Sequence, residues 1–273
     1  MHARISVNTI CFMDEAVAQQ VAHWPELDSR RFSVIGPQLD KTGEHLVQQA
    51  LAEGNYALET IVHPFSSVNP LDSDDSILAQ ARAGLSAQIG VAKRLGAKSI
   101  YMTTGGRGSL SWEQAAEAFA MAIAPCVVEA RSAGIALMIE NAPPQYADLH
   151  IAHSLQDALT LAKIADIGVC IDLVGCWTEA GLQNLIEKTL PRCHLVQVSD
   201  YCLGDRSLPS RAVPGDGALP LKQLLEWLVD AGYEGAFDLE LLGPRIETEG
   251  RVAAMRRAVR NLSEMLHEIG VPQ

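Results

Sequence analysis

The sequence predicts one (β/α)₈ barrel, the TIM-barrel architecture, over residues 1–273. Three observations predict it. Short β-branched runs alternate strictly with longer helical segments, and eight such units can be counted. Parallel strands need crossover helices, and eight strand-helix units close a cylinder; a doubly wound open sheet is the alternative that the count disfavours. The length of 273 residues suits such a barrel, which takes roughly 250.

The elements follow in order. Ile5–Cys11 reads as a strand, and Glu15–Trp24 as a short helix. Arg31–Ile35 is the second strand, stopped by Gly36-Pro37, with a helix over Thr42–Glu53. Leu58–His63 is the third strand, closed by Pro64. Ser76–Leu95 is a long amphipathic helix with Gly96 as its stop signal. Lys98–Met102 is strand four, followed by the glycine-rich Gly105-Gly106-Arg107-Gly108. That loop lacks the spacing of a dinucleotide-binding fingerprint.

Ser111 opens the next helix as a capping box with Gln114, and the helix runs to about Ser132 before Gly134 breaks it. Ile135–Glu140 is strand five and Leu155–Ala165 its helix. Ile167–Asp172 is strand six, with a helix over Leu182–Leu190. His194–Val198 is strand seven, with a helix over Pro220–Ala231. Ala236–Glu240 is strand eight, and Glu249–Ile269 the final helix.

Composition narrows the function. The chain is 48% hydrophobic and 20% charged, enough for a large core, and its net charge of −12 makes nucleic acid a poor partner. Six cysteines without a CxxC pair read as reduced thiols that pack. No stretch reaches the roughly 20 apolar residues of a membrane span, and the chain enters a strand at once. The expectation is a cytoplasmic protein without membrane association.

Active sites of such barrels sit at the C-terminal ends of the strands. Strand five ends on Glu140, strand six on Asp172, and strand eight on Glu240; strand seven carries Gln197 near its end, with Asp200 just beyond. For a single acid the ordinary role is an arginine pair or a helix cap. Three acids in register on late strands would repel one another unless a cation neutralised them. Hard oxygen donors then favour one divalent ion, Mg²⁺ or Mn²⁺ first, with Co²⁺ and Zn²⁺ also open, and Gln197 adds a neutral oxygen.

These residues carry a resemblance to the xylose isomerase-like TIM barrels, the sugar phosphate isomerase/epimerase group of the AP endonuclease family 2 superfamily. The likeness covers most of the chain and is sharpest from Ile139 onward. Ile139-Glu140-Asn141-Ala142-Pro143 resembles the family's strand-five motif. Cys170–Trp177 stands where its strand-six Asp motif lies. Val213–Leu241 is similar to its closing segment, from a PGDG turn through Gly232-Tyr233-Glu234-Gly235 to the last Glu. The resemblance implies one divalent metal ion on Glu140, Asp172, Gln197 and Glu240, with Glu140 and Glu240 also moving protons at adjacent carbons. The family has His where this chain has Gln197, and often His where it has Gly175. A Glu-Asp-Gln-Glu set is also found among its 3-dehydroshikimate dehydratase relatives.

The expected substrate contacts are His63 at the end of strand three, Asn8 at the end of strand one, Trp177 after strand six, Arg211 before the PGDG turn, and Arg245 after strand eight. For each, a structural role is the competing reading: a turn histidine, a packing tryptophan, a surface arginine. The expected activity is a metal-dependent isomerase or epimerase of a sugar-like or cyclic polyhydroxy ketone, acting through an enediolate. A metal-dependent dehydratase of 3-dehydroshikimate or keto-inositol type is the second expectation. A non-catalytic or metal-free barrel stands third, and DNA repair ranks low on charge and on the missing histidines. The partner is then a small-molecule substrate, with a homo-oligomer open.

Overall fold

A computed structural model describes residues 1–66 and 69–272. Eight strands form a closed parallel barrel in sequence order, β1 to β8. They are β1 (Ile5–Asn8), β2 (Arg31–Ile35), β3 (Ala57–Val62), β4 (Ser99–Met102), β5 (Ala136–Glu140), β6 (Gly168–Asp172), β7 (Cys193–Val198) and β8 (Ala236–Leu239). β1 pairs with both β2 and β8, which closes the cylinder.

The helices are α1 (Val17–His23), α2 (Lys41–Gly54), α3 (Asp75–Leu95), α4 (Trp112–Ala133), α5 (Leu155–Ala165), α6 (Leu173–Cys176), α7 (Leu182–Thr189), α8 (Leu221–Asp230), α9 (Pro244–Glu249) and α10 (Arg251–Glu268). Among the described residues none is long and apolar enough to cross a membrane. The expected boundaries hold closely, and β2 and α5 match theirs end to end. The Ser111 capping box forms: its Oγ accepts from Gln114 N at 3.3 Å and its N donates to Gln114 Oε1 at 2.9 Å. Two differences are local. β1 stops at Asn8 because the Asn8 side chain accepts from Ile10 N and turns the chain into a 3-10 helix. The last helical segment is two pieces, α9 and α10, separated at Gly250, whose φ of +92° no helix tolerates.

Period-two alternation sorts the strand residues into two layers. Ile5, Val7, Phe32, Val34, Ile61, Ile100, Ile139, Ile171, Val196, Phe237 and Leu239 face outward and join the helices in one large core. The lumen holds a second, small cluster of Tyr101, Met138, Cys170, Leu195 and Ala236, with Val62 packed against it. Above and around it the inward positions are polar: Ser6, Asn8, Ser33, Gln197 and Asp238 are all fully buried.

The two ends of the barrel treat acids differently. At the N-terminal end, Glu59 is buried but paired with Arg31 and with Lys98 Nζ at 2.9 and 3.0 Å. One carboxylate there meets two cations. At the C-terminal end the balance is reversed, and this end carries the candidate site.

Candidate active site

Strand parity brings the expected residues together. Glu140 closes β5 and Asp172 closes β6. Asp172 lies beside Gln197 of β7, and Gln197 beside Asp238 of β8. Glu240 stands two residues past Asp238, on the same face, and its N donates to Val198 O at 3.3 Å. Asp172, Gln197 and Glu240 are 2%, 0% and 6% exposed, so water barely reaches them.

Arg211, expected as a substrate contact, completes the group: its guanidinium inserts among the carboxylates. Nη1 donates to Asp172 Oδ1 at 3.1 Å and Nη2 to Asp172 Oδ2 at 2.6 Å, a bidentate pair. Nη2 also donates to Glu240 Oε2 at 3.4 Å. Asp172 Oδ1 further accepts from Val174 N at 3.0 Å, capping α6. Asp172 thus takes both ordinary roles of an acid, arginine pair and helix cap. Burial pulls the Arg211 pKa down, but the charges of Asp172 and Glu240 outweigh it and hold the guanidinium above its usual range. Among the described residues, no three His, Cys, Asp or Glu side chains are grouped as ligands of one ion. The four residues expected to hold a metal lie at one end of the barrel, and a cationic side chain stands between Asp172 and Glu240.

A polar network below holds Glu240 in place. Tyr101 OH donates to Glu240 Oε1 at 3.1 Å, and Gln197 Nε2 donates to the same oxygen at 3.2 Å. Asn8 Nδ2 donates to Tyr101 OH at 3.3 Å and to Asp238 Oδ2 at 3.0 Å, and Ser33 Oγ donates to Asp238 Oδ1 at 2.7 Å. With its Oδ1 accepting from Ile10 N at 3.1 Å, the Asn8 amide is saturated by the protein. Asn8 supports the site and has no hydrogen left for a substrate hydroxyl. Asp238 and Tyr101 escaped the sequence reading. Alternation along Phe237-Asp238-Leu239-Glu240 was the available signal for Asp238, since it puts both acids on one face.

Gly175, where a histidine is usual in the resembling family, has a physical explanation. Asn141 Oδ1 accepts from Asp172 N at 3.0 Å, and its Nδ2 donates to Asp172 O at 2.9 Å. That amide lies against Gly175: a Cβ there would meet Asn141 Nδ2 at 2.5 Å, Asn141 O at 2.8 Å and Asp172 Oδ2 at 3.3 Å. Asn141 fills the space a side chain at 175 would need. His150 fixes the neighbouring backbone: Thr104 N donates to its Nδ1 at 3.1 Å, and its Nε2 donates to Glu140 O at 2.9 Å. Asp200, also at a strand end, is structural. Its carboxylate accepts from the N–H groups of Tyr201, Gly215, Gly217 and Leu219 at 2.8 to 3.1 Å and pins the PGDG turn.

The other expected contacts lie apart from this group. Arg245 is at the rim, with Nε donating to Asp205 Oδ2 at 3.0 Å. Trp177 lines an outer groove of about 620 Å³ with Glu179, Pro220 and Trp227, between α7 and α8. His63 follows the lumen-facing Val62, so alternation turns it outward, where Gly84 of α3 has room for a Cβ only 3.9 Å from its ring. Among the described residues, neither of its buried ring nitrogens has a hydrogen-bond partner. Burial pushes its pKa down to about 4. The sign follows: below about pH 6.5 the unfolded chain binds a proton that the folded chain refuses, so stability falls as pH drops toward 4. His63→Phe is expected to remove that slope, and its advantage over the wild type in urea unfolding should grow by about 1.4 kcal/mol per pH unit in this window. Parallel pH profiles for both proteins would count against it.

The electrostatics of the centre bear on a cation. Glu140, Asp172 and Glu240 supply three carboxyls against the single guanidinium of Arg211. Burial first, then the charges of Glu240 and Asp172, raise the Glu140 pKa well above the carboxylate range. Glu240 is raised by burial as well, with Arg211 and the Tyr101 hydrogen bond opposing. Gln197 Oε1 is buried and has no hydrogen-bond partner among the described residues, because the amide turns its Nε2 to Glu240. A divalent ion would supply the two missing positive charges and a partner for that oxygen. The donor set fits such an ion on Glu140, Gln197 and Glu240, and would include Asp172 once Arg211 let go of it.

Comparisons with known proteins agree with this architecture. A family model described as xylose isomerase-like TIM barrel matches residues 20–265. Compared by sequence alone, no curated protein matches the chain. Among solved structures, a protein from Sinorhizobium meliloti 1021 superposes with TM-score 0.83 at 21% identity, covering 97% of this chain and 98% of its own. D-psicose 3-epimerase with D-tagatose, from Clostridium cellulolyticum H10, superposes with TM-score 0.79 at 14% identity, covering 97% and 99%. An IolI protein with a bound zinc atom superposes with TM-score 0.78 at 13% identity, covering 97% and 99%. At these identities the structural likeness speaks for the fold alone.

Proposed function

The chain belongs to the xylose isomerase-like TIM barrel family, and we propose that it is an isomerase or epimerase of a polyhydroxy ketone, sugar-like or cyclic, that works with one divalent metal ion. The observation that carries this reading is the convergence of Glu140 with the buried Asp172, Gln197 and Glu240 at the C-terminal ends of successive strands, with Gln197 Oε1 left without a partner among the described residues. The solved epimerase and the zinc-bearing relative of the same fold support it.

Glu140, Asp172, Gln197 and Glu240 would hold the ion. When bound, a divalent ion polarises a carbonyl and acidifies the proton on the carbon beside it. Glu140 and Glu240 stand on β5 and just past β8, with β6 and β7 between them. One takes the proton beside the carbonyl and the other returns a proton on the opposite face. Tyr101 and Gln197 hold Glu240 Oε1, which keeps its second oxygen directed at the centre. Arg211 supplies the bidentate donors that can anchor substrate oxygens.

Gln197 also favours a second reading, a dehydratase in which the same proton removal expels a hydroxyl one carbon further on. Protein purified without chelator, loaded with Mn²⁺ and incubated in D₂O with a panel of polyhydroxy ketones separates the two. Deuterium uptake beside the carbonyl with unchanged composition is expected; loss of water assigns the lyase. Asp172→Asn is expected to keep the fold by circular dichroism and to lose most of its bound metal in equilibrium dialysis. A folded Asp172→Asn protein that binds Mn²⁺ as the wild type does would remove Asp172 from the ligand set.

A further inference from the structure

We propose that Arg211 is a built-in competitor for the metal: its guanidinium holds Asp172 as an internal cation, and a divalent ion gains Asp172 as a ligand only by displacing it. This inference rests on the reading of the site as a metal centre and concerns what sets its affinity.

Three observations carry it. First, both oxygens of Asp172 are engaged by Arg211, at 3.1 and 2.6 Å, and Oδ1 also by Val174 N at 3.0 Å. A bidentate guanidinium takes one in-plane lone pair on each carboxylate oxygen and Val174 N takes the second on Oδ1, so a single one on Oδ2 remains for an ion. Second, the same Nη2 reaches Glu240 Oε2 at 3.4 Å, so one cation bridges two of the expected ligands. Third, the contact is shielded from water: Arg211 is 9% exposed and Asp172 2%. An ion that takes Asp172 as a full ligand therefore has to displace the guanidinium.

The backbone around Arg211 shows which part moves. Arg211 N donates to Leu242 O at 3.0 Å; Asp200 and Ala212 exchange hydrogen bonds at 2.9 and 2.8 Å. The turn that follows is pinned by Asp200. The base of the arginine is fixed, so displacement is a rotamer change of a long side chain and leaves the loop where it is. The released guanidinium stays at the mouth, with its donors free for substrate oxygens. Such a site would load metal before substrate.

The charge count makes the exchange feasible. Arg211 alone leaves the three carboxyls short of neutrality, and an ion that shares them with a retracted Arg211 restores it. Removing Arg211 removes the competitor and raises the negative charge at the centre; both effects tighten metal binding.

Calorimetric titration of Mn²⁺ into metal-free wild type, Arg211→Ala and Arg211→Met tests this. Met keeps the stem's apolar volume if Ala fails to fold. Each variant is expected to bind Mn²⁺ at least about tenfold more tightly than the wild type, a difference of about 1.4 kcal/mol. Free guanidinium ion at millimolar concentration is expected to weaken Mn²⁺ binding to Arg211→Ala and to leave the wild type unchanged. Equal or weaker binding by both variants, with the wild type binding normally, overturns the competition while leaving the metal centre standing. No binding by any of the three proteins overturns the metal centre itself.

Discussion

Glu240→Gln is expected to slow deuterium exchange into a polyhydroxy ketone by about 10²- to 10⁴-fold, the range a positioned acid–base group contributes. The substitution is nearly isosteric. Tyr101 OH and Gln197 Nε2 converge on Oε1 at 3.1 and 3.2 Å, and Arg211 lies 3.4 Å from Oε2. An amide can keep some of these contacts while losing the proton-accepting charge. The residue sits at the end of the barrel where the apolar layers stop, so thermal unfolding should change little. Glu140→Gln is expected to behave alike, because the two glutamates act on one proton's path. Exchange at the wild-type rate in Glu240→Gln would remove Glu240 from the chemistry, and loss of exchange accompanied by unfolding would leave Glu140→Gln as the deciding variant.

Gly175→Ala is expected to destabilise the protein by about 2–4 kcal/mol. The sign is informative. A glycine-to-alanine change inside a helix ordinarily stabilises, by about 0.4–1 kcal/mol, because the unfolded chain loses freedom. Gly175 lies in α6 and has no positive φ to forbid a side chain. Contact, and not backbone conformation, forbids it. A Cβ would meet the Asn141 amide at 2.5 Å and the Asn141 carbonyl at 2.8 Å. Relief requires moving the side chain that holds both Asp172 N and Asp172 O at 3.0 and 2.9 Å. Denaturant unfolding of wild type and variant measures the difference. A stability equal to or above wild type would show that Asn141 has room to retreat.

The same pair shows what stands in the way of a side chain at this position: both the side-chain amide and the backbone carbonyl of Asn141 lie where a Cβ on Gly175 would go. Neither residue alone announces the relation. The sequence reading could register Gly175 only as a missing histidine, and Asn141 only as a polar residue at a strand end.

His63 illustrates a different limit. Its position at the end of β3 made it a candidate for the barrel mouth, yet strand ends expose residues of both parities. Only the neighbours decide which parity faces inward. Ile61 joins the outer core and Val62 the lumen, which sends His63 outward beneath α3. The loops after strands six and eight carry Trp177 to an outer groove and Arg245 to the rim.

The amino-acid sequence by itself determined the barrel and the rank of acids at its C-terminal end. Both are local signals. Alternation of strand and helix is written in short-range periodicity, and the last polar residue of each apolar run falls at the strand's end whatever surrounds it. Glu140, Asp172, Gln197 and Glu240 were legible for that reason. What those acids meet was decided by tertiary structure alone. Arg211 reaches Asp172 across 39 residues and Asn141 reaches it across 31. No periodicity encodes such distances, because they depend on how the β7–α8 loop folds back over the closed barrel. A row of carboxylates reads in sequence as a set of ligands for an ion. In the folded chain, one of them is already bound by a cation that the protein carries itself.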